Sequence, residues 1–245
     1  MEKRNATCAV IGAGDFIGSA IAKRFAAEGY TVFAGRRAAE KLEKLKSEIE
    51  AAGGSCVARG LDARKEDEVT KFLQDADAHA PLEVVVINPG ANVNFPILET
   101  TERVFRKVWE MACYAGFLAG RESARLMLAR GQGTILFTGA TASVRGGAGY
   151  AAFSSAKAGL RNVAQSMARE LGPKNIHVAH LIIDAGVDTD FVRERIKSAG
   201  RDPDSLPPDA LMDPVSVANA YWYLHSQSRD GWTFELDLRP YAERW

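Results

Sequence analysis

Short apolar runs rich in β-branched residues alternate along this chain with longer stretches whose apolar positions recur every three to four residues, the pattern of strands followed by helices. The first strand is Ala6 to Ile11. A helix from about Ile17 to Glu28 follows, with Ile17, Ile21 and Phe25 on one face and Gly29 at its end. Thr31 to Ala34 is the second strand, and the charged segment Ala38 to Ala52 is a helix that Gly53 and Gly54 close. Ser55 to Arg59 and Lys65 to Ala78 form the next strand and helix. Val84 to Ile87 shows no polar alternation, so it reads as a central strand buried on both faces. A long helical region spans about Thr100 to Arg130, and Thr134 to Thr138 is the fifth strand. The helix from about Tyr150 to Leu171 stops ahead of Pro173. Ile176 to Ile182 is the sixth strand, Pro214 to Ser226 a helix, and Trp232 to Leu238 the seventh strand. Between them Asp184 to Pro214, with Pro203, Pro207 and Pro208 and a short helix near Phe191 to Lys197, reads as a lid-like insertion. Successive βαβ units of this kind predict a doubly wound α/β fold, a three-layer sandwich around a mostly parallel, seven-stranded sheet.

Nothing along residues 1–245 resembles an interdomain linker or a repeat, so one domain is expected. Its 47% hydrophobic residues supply a core without staples. Lys plus Arg and Asp plus Glu both number 31, which removes the basic excess that a nucleic-acid partner requires. No run approaches the roughly 18 apolar residues of a membrane span, and the apolar stretch after Met1–Asn5 is too short for a secretory signal. Cys8, Cys56 and Cys113 lack metal-ligand spacing and leave an odd cysteine, which points to a reduced, cytoplasmic setting and no metal.

Candidate chemistry begins where the first strand meets the first helix. Gly12-Ala13-Gly14-Asp15-Phe16-Ile17-Gly18 places glycines, which let a ligand approach the backbone, at the positive end of a helix dipole, the arrangement that receives a diphosphate. The second strand ends in Gly35-Arg36-Arg37, two guanidiniums and no carboxylate. Arginine pairs a 2′-phosphate where an acidic residue would hold a 2′-hydroxyl, so these residues select NADP rather than NAD.

The glycine loop resembles that of the short-chain dehydrogenase/reductases, TGxxxGxG, with Gly12 and Gly18 at its first and last glycines and Phe16 in place of the middle one. Asp62 matches that family's adenine-contacting Asp, Asn88-Pro89-Gly90-Ala91 its NNAG loop, and Val187 and Thr189 its carboxamide contacts. The resemblance runs the length of the chain. It implies a Rossmann-like fold and a coenzyme site made of Gly12, Gly14, Asp15, Phe16, Ile17, Gly18, Arg36, Arg37, Asp62, Asn88, Gly90, Lys157, Val187 and Thr189. A Phe16 side chain facing the ligand would crowd a phosphate. The family's YxxxK motif, in which an ammonium one helical turn on lowers the phenol's pKa, falls on Phe153 and Lys157. Its serine falls on Ala140 and its asparagine on Cys113, so Lys157 alone of the four catalytic side chains is kept.

Replacements are few. Tyr150 lies about 10 Å from Lys157 by helical rise, too far for direct coupling. Thr138 is better directed than Thr141 towards the missing serine's place, Ser154 and Ser155 are expected to point elsewhere, and Asp184 and Asp188 could carry a proton or cap the loop. Two functions are therefore expected. One is an NADP-dependent oxidoreductase acting on a small carbonyl, alcohol or related substrate with a non-standard proton donor; the other is a catalytically silent nucleotide-binding sensor or partner subunit. By resemblance, copies pair into a homodimer or homotetramer through the helices of 100–130 and 150–171, with Trp232 to Leu238 and Trp245 as further contacts.

Overall fold

A computed structural model of the protein describes residues 3–243. Its seven strands are β1 (Thr7–Ile11), β2 (Thr31–Arg36), β3 (Ser55–Gly60), β4 (Leu82–Ile87), β5 (Gly133–Thr138), β6 (Ile176–Ile183) and β7 (Glu235–Leu238). They form one sheet in the order β3-β2-β1-β4-β5-β6-β7, and every neighbouring pair is parallel. A parallel sheet needs cover on both faces, which the helices supply. Helices α1 (Ile17–Ala27) and α2 (Glu43–Ala51) lie on one side; α3 (Glu66–His79), α4 (Glu102–Trp109), α5 (Ala115–Leu128) and α6 (Ala151–Leu171) belong to the other, and α7 (Asp190–Ser198) lies in the insertion. The last helix, α8 (Pro214–His225), returns to the first side. Alternation explains the continuous apolar strands: Cys8 and Val10 of β1 pack towards α1, α2 and α8, whereas Ala9 and Ile11 pack towards α3, α5 and α6.

Three departures from the expected elements have local causes. The helix expected from Ala38 opens as a 3₁₀ turn, Ala39–Leu42, before α2 begins. The long region 100–130 is α4 and α5 joined by a π turn at Glu110–Tyr114, where one extra residue per turn is accommodated without breaking the helix. β7 starts three residues late because the Thr233 amide is taken by Gln227 Oε1 at 2.8 Å and Trp232 stacks on His177 with ring centroids 4.9 Å apart. Trp232 therefore packs within this chain; Trp245 lies outside the described residues.

Strand order reverses between β1 and β4, and their C-terminal ends open the crevice where α/β sheets of this kind take ligands. The insertion sits over that edge. Its base is closed by a bridge between Val187 and Met212, with Met212 N donating to Gly186 O at 2.9 Å and Asp188 N to Met212 O at 2.8 Å. Among the described residues no helix is long and apolar enough to cross a membrane, and no group of three His, Cys, Asp or Glu side chains is placed to hold a metal.

Candidate active site

At the end of β1, Gly12 has a φ of +87°, and a Cβ there would lie 2.9 Å from the Asn88 backbone carbonyl, so a side chain would drive apart the loops after β1 and β4. Asn88 fixes the same approach by donating Nδ2 to Gly12 O at 3.0 Å. Gly18 lets α1 press on the loop, since its Cβ would meet the Gly12 carbonyl oxygen at 2.4 Å. Open space, by contrast, faces Gly14 and Gly90. No side chain caps α1, and the amides of Asp15, Phe16, Ile17 and Gly18 have no acceptor among the described residues. Four unpaired N–H groups at a helix head beside side-chain-free space suit a diphosphate in charge and shape.

Two adjoining cavities run from this loop. One, of 780 Å³, is lined by Gly12, Gly14, Arg36, Arg37, Asp62, Asn88 and Gly90; the other, of 690 Å³, by Ile17, Asn88, Gly90, Lys157, Val187 and Thr189 among others. Asn88, Pro89 and Gly90 belong to both, so the cavities join into a trough over the switch point. Twelve expected coenzyme residues thus fall on this trough or, as with Gly18, against its floor. Two do not. Phe16 lines a separate groove between α1 and α8, together with Ala20, Pro214, Val215 and Ala218, and lines neither cavity of the trough. The expected crowding of a phosphate therefore does not arise, and Phe16 has only its amide to offer. Asp15 lines the same groove, and its carboxylate takes Arg36 Nη1 at 2.6 Å.

Other members of the set are already engaged. Asp62 accepts from Arg64 Nε and Nη2 at 2.9 and 2.6 Å, and this guanidinium holds its carboxyl down to about 2. The Thr189 hydroxyl accepts from Val192 N at 3.2 Å and caps α7. Arg37 is exposed and has no hydrogen-bond partner among the described residues, leaving it the freer of the two guanidiniums.

At the reacting end Lys157 is only 3% exposed, and its Nζ donates to Thr138 O at 2.8 Å. The Phe153 ring centroid lies 5.9 Å from that nitrogen. Burial without a carboxylate partner pushes the ammonium down to about 8. Phe153, Ala140 and Cys113 come together as expected, but as part of an apolar cluster with Val108, Ala142 and Ala156. Cys113 sits on the π turn with Sγ against Gly159, where a Cβ would approach to 3.0 Å.

None of the weighed replacements supplies a free acid. The Thr138 hydroxyl points to the other face of the sheet and shares a hydrogen with Tyr221 OH at 2.5 Å, because residues two apart on a strand share a face but the chain bends away after β5. Thr141 Oγ1 donates to Asp184 Oδ1 at 2.6 Å. Asp184 is buried and also meets Arg145 and Arg239, at 3.2 and 3.4 Å. Asp188 is clamped by Arg193 Nε and Nη2 at 2.5 and 2.9 Å, which holds its carboxyl below the usual range. Both acids are anchors. Ser154, expected to point elsewhere, lines the cleft with its Oγ buried and unpartnered; Ser155 is turned out and bonds Ala152 O.

Two features escaped the sequence reading. Arg195 of α7 donates to Tyr150 OH and lies over its ring at 5.4 Å, tying the insertion to the start of α6. His180, wholly buried, gives Nδ1 to Glu235 at 3.1 Å and abuts Gly139, where a Cβ would come within 2.5 Å of the imidazole. The i, i+4 spacing of Phe191 and Arg195 could have signalled a lid face. Nothing in the sequence signals the Gly139–His180 fit.

A family model described as short chain dehydrogenase matches residues 6–199. The chain belongs to the short-chain dehydrogenase family. Within this family it is 28% identical over 222 residues to the 3-oxoacyl-[acyl-carrier-protein] reductase MabA of Mycobacterium tuberculosis, covering 89% of this chain and 84% of that protein. A hydroxynaphthalene reductase-like protein of Metarhizium robertsii is 32% identical over 184 residues, 74% of this chain and 68% of that one. Among solved structures, a short-chain dehydrogenase from Rhodopseudomonas palustris is 66% identical, with a TM-score of 0.84 over 97% of this chain and 100% of its own. An alcohol dehydrogenase from the archaeon Thermococcus sibiricus, complexed with 5-hydroxy-NADP, is 26% identical with a TM-score of 0.83 over 98% of both chains.

Proposed function

We propose that this short-chain dehydrogenase is an NADP-dependent oxidoreductase acting on a small carbonyl or alcohol, with Lys157 in place of a tyrosine as the proton carrier. The observation that carries this reading is the trough itself: unpaired amides and open glycines at one end, Arg36 and Arg37 beside them, and a buried lysine facing the other end. The amides of residues 15–18 would hold the diphosphate, Arg37 and Arg36 the 2′-phosphate, and Lys157, Val187 and Thr189 the nicotinamide half. Bound nicotinamide supplies or accepts the hydride. Lys157 lines the cleft and would offer a proton at Nζ to a substrate oxygen, and its depressed pKa keeps that proton transferable near neutral pH. Phe153, its ring centroid 5.9 Å from that nitrogen, packs beside the amine and donates nothing.

A second reading, a coenzyme-binding protein without turnover, is favoured by the apolar packing of Phe153, Ala140 and Cys113. Titrating NADPH fluorescence and then presenting a carbonyl panel to the native protein and to Phe153→Tyr/Ala140→Ser separates the two. Turnover by the native protein on any carbonyl removes the silent reading, and the double variant should gain roughly 10² to 10⁴-fold from its general acid. Activity confined to the double variant supports silence. NADH binding tighter than NADPH overturns the assignment of the arginines, and binding of neither overturns the whole proposal. Pairing of copies is supported by the exposed Phe105, Trp109 and Phe117 of α4 and α5.

A further inference from the structure

The larger wall of the reacting cleft carries charge of one sign. None of its lining side chains is an aspartate or a glutamate, while Arg145 and Lys157 both line it. Arg145 gives Nη2 to Asp184, but its Nε and Nη1 have no partner among the described residues. Asp184 is 4% exposed, sits behind the wall, and is shared with Arg239 and Thr141, while Arg239 also pairs with Asp237. Across the opening, α7 turns Phe191 and Val192 into the cleft and places Arg195 one helical turn beyond Phe191. Arg195 is held only by Tyr150, through its hydroxyl and its ring, and pairs with no carboxylate among the described residues. Ser154 adds an unpartnered hydroxyl to the same wall. Neither Arg145 nor Tyr150 lines the cavity that runs to the glycine loop and Arg36, so these cations lie apart from the diphosphate end.

The geometry points to a substrate that carries an anionic group beside its carbonyl or alcohol, gripped by Arg145 on the wall and by Arg195 on α7. Its apolar portion lies against Phe153, Phe191 and Val192. This deepens the oxidoreductase reading and rests on it. Arg145 spends only Nη2 on Asp184, and Arg195 on α7 beyond Phe191 meets no carboxylate among the described residues, so both keep donors that an anion can engage with charge-assisted hydrogen bonds a neutral isostere cannot make.

The test titrates the NADPH-loaded protein by calorimetry with hexanoate, phenyl phosphate and hexanamide, at about 50 and about 300 mM NaCl. At least one anion should bind roughly tenfold or more tightly than the amide, with the ratio shrinking at high salt; the two anions tell a carboxylate from a phosphoryl group. Arg145→Gln should cost the preferred anion about tenfold and leave the amide within about twofold. Arg195→Gln, on a surface helix, should show the same selectivity at smaller size and guards against a folding defect in the first variant. Equal binding of anions and amide, equal losses for both in the variants, or heat from neither anion overturns the inference. Failure to load NADPH instead overturns the oxidoreductase reading, so the two failures are distinct.

Discussion

The two ends of the trough follow different rules. At the glycine-loop end the ligand-facing groups are backbone amides, and what the sequence must provide there is absence: no Cβ at Gly12 or Gly18, where one would collide, and none at Gly14 or Gly90, where one would fill the space. At the reacting end the proposed chemistry belongs to side chains, and the resemblance read from the sequence puts Phe153, Ala140 and Cys113 at the positions of a phenol, a hydroxyl and an amide. The loop amides stay open with Phe16 in the sequence position of the middle glycine, because Phe16 lines the α1–α8 groove and neither cavity of the trough. Side-chain chemistry has no such freedom, since a ring without a hydroxyl cannot donate from any rotamer.

The sharpest way to break this contrast is at the glycines. Gly18→Ala should cost several kcal/mol, on the order of an overpacked core site, and abolish NADPH binding, because its Cβ would press on backbone that cannot rotate away. Gly14→Ala should leave Tm within about 2 °C, having no neighbour to strike, yet still weaken NADPH by roughly tenfold or more. Thermal melts and fluorescence titrations of both variants check this. Equal loss of stability in the two would mean that the loop's glycines serve folding rather than binding.

At the other end, Lys157→Met tests whether the surviving side chain acts through its proton. Turnover should fall by about 10² or more, while stability near pH 7 should hold or rise, because a buried ammonium with a single backbone acceptor is replaced by an apolar chain of similar volume. The sign of the pH effect follows from the depressed value of about 8. Between pH 8 and the ordinary lysine value near 10.4 the unfolded chain binds more protons than the folded one, so this lysine's contribution makes stability rise with pH across that window. Denaturant midpoints measured from pH 7 to 10 should show the rise in the native protein and its loss in the variant. Identical slopes would place Lys157 in contact with solvent.

How much of this was legible in the chain depends on whether a property is local. The seven strands and the glycine loop follow from periodicity and from glycines at a strand–helix junction, whereas the strand order and its switch point come only with the fold. The π turn at Glu110–Tyr114 was not legible, because its residues have ordinary helical composition and the distortion appears only where α4 and α5 pack on α6. Partner choice was equally hidden. Asp184 and Asp188 read as acids near the reacting end, and only the fold brings Arg145, Arg239 and Arg193 to them and turns both into anchors. Thr138 looked well directed by strand parity, yet β5 ends there and its hydroxyl meets Tyr221 on the far face.

The smallest expected effect lies on the boundary between the two ends, at Asp15. Its carboxylate is 63% exposed and takes Arg36 Nη1 at 2.6 Å, so the guanidinium that would meet a 2′-phosphate already has an anion on it. An exposed pair of this kind is worth on the order of 1 kcal/mol or less, and an arriving phosphate must share or displace it and meet the carboxylate's charge as well. Asp15→Asn keeps an acceptor oxygen and removes the repulsion. NADPH affinity should rise by about two- to fivefold with NADH unchanged, and the gain should shrink as salt screens the phosphate. A fall in NADPH affinity would reverse the role: the carboxylate would then be what aims Arg36 at the phosphate, and coenzyme choice would be fixed by the glycine loop together with the second strand rather than by the two arginines alone.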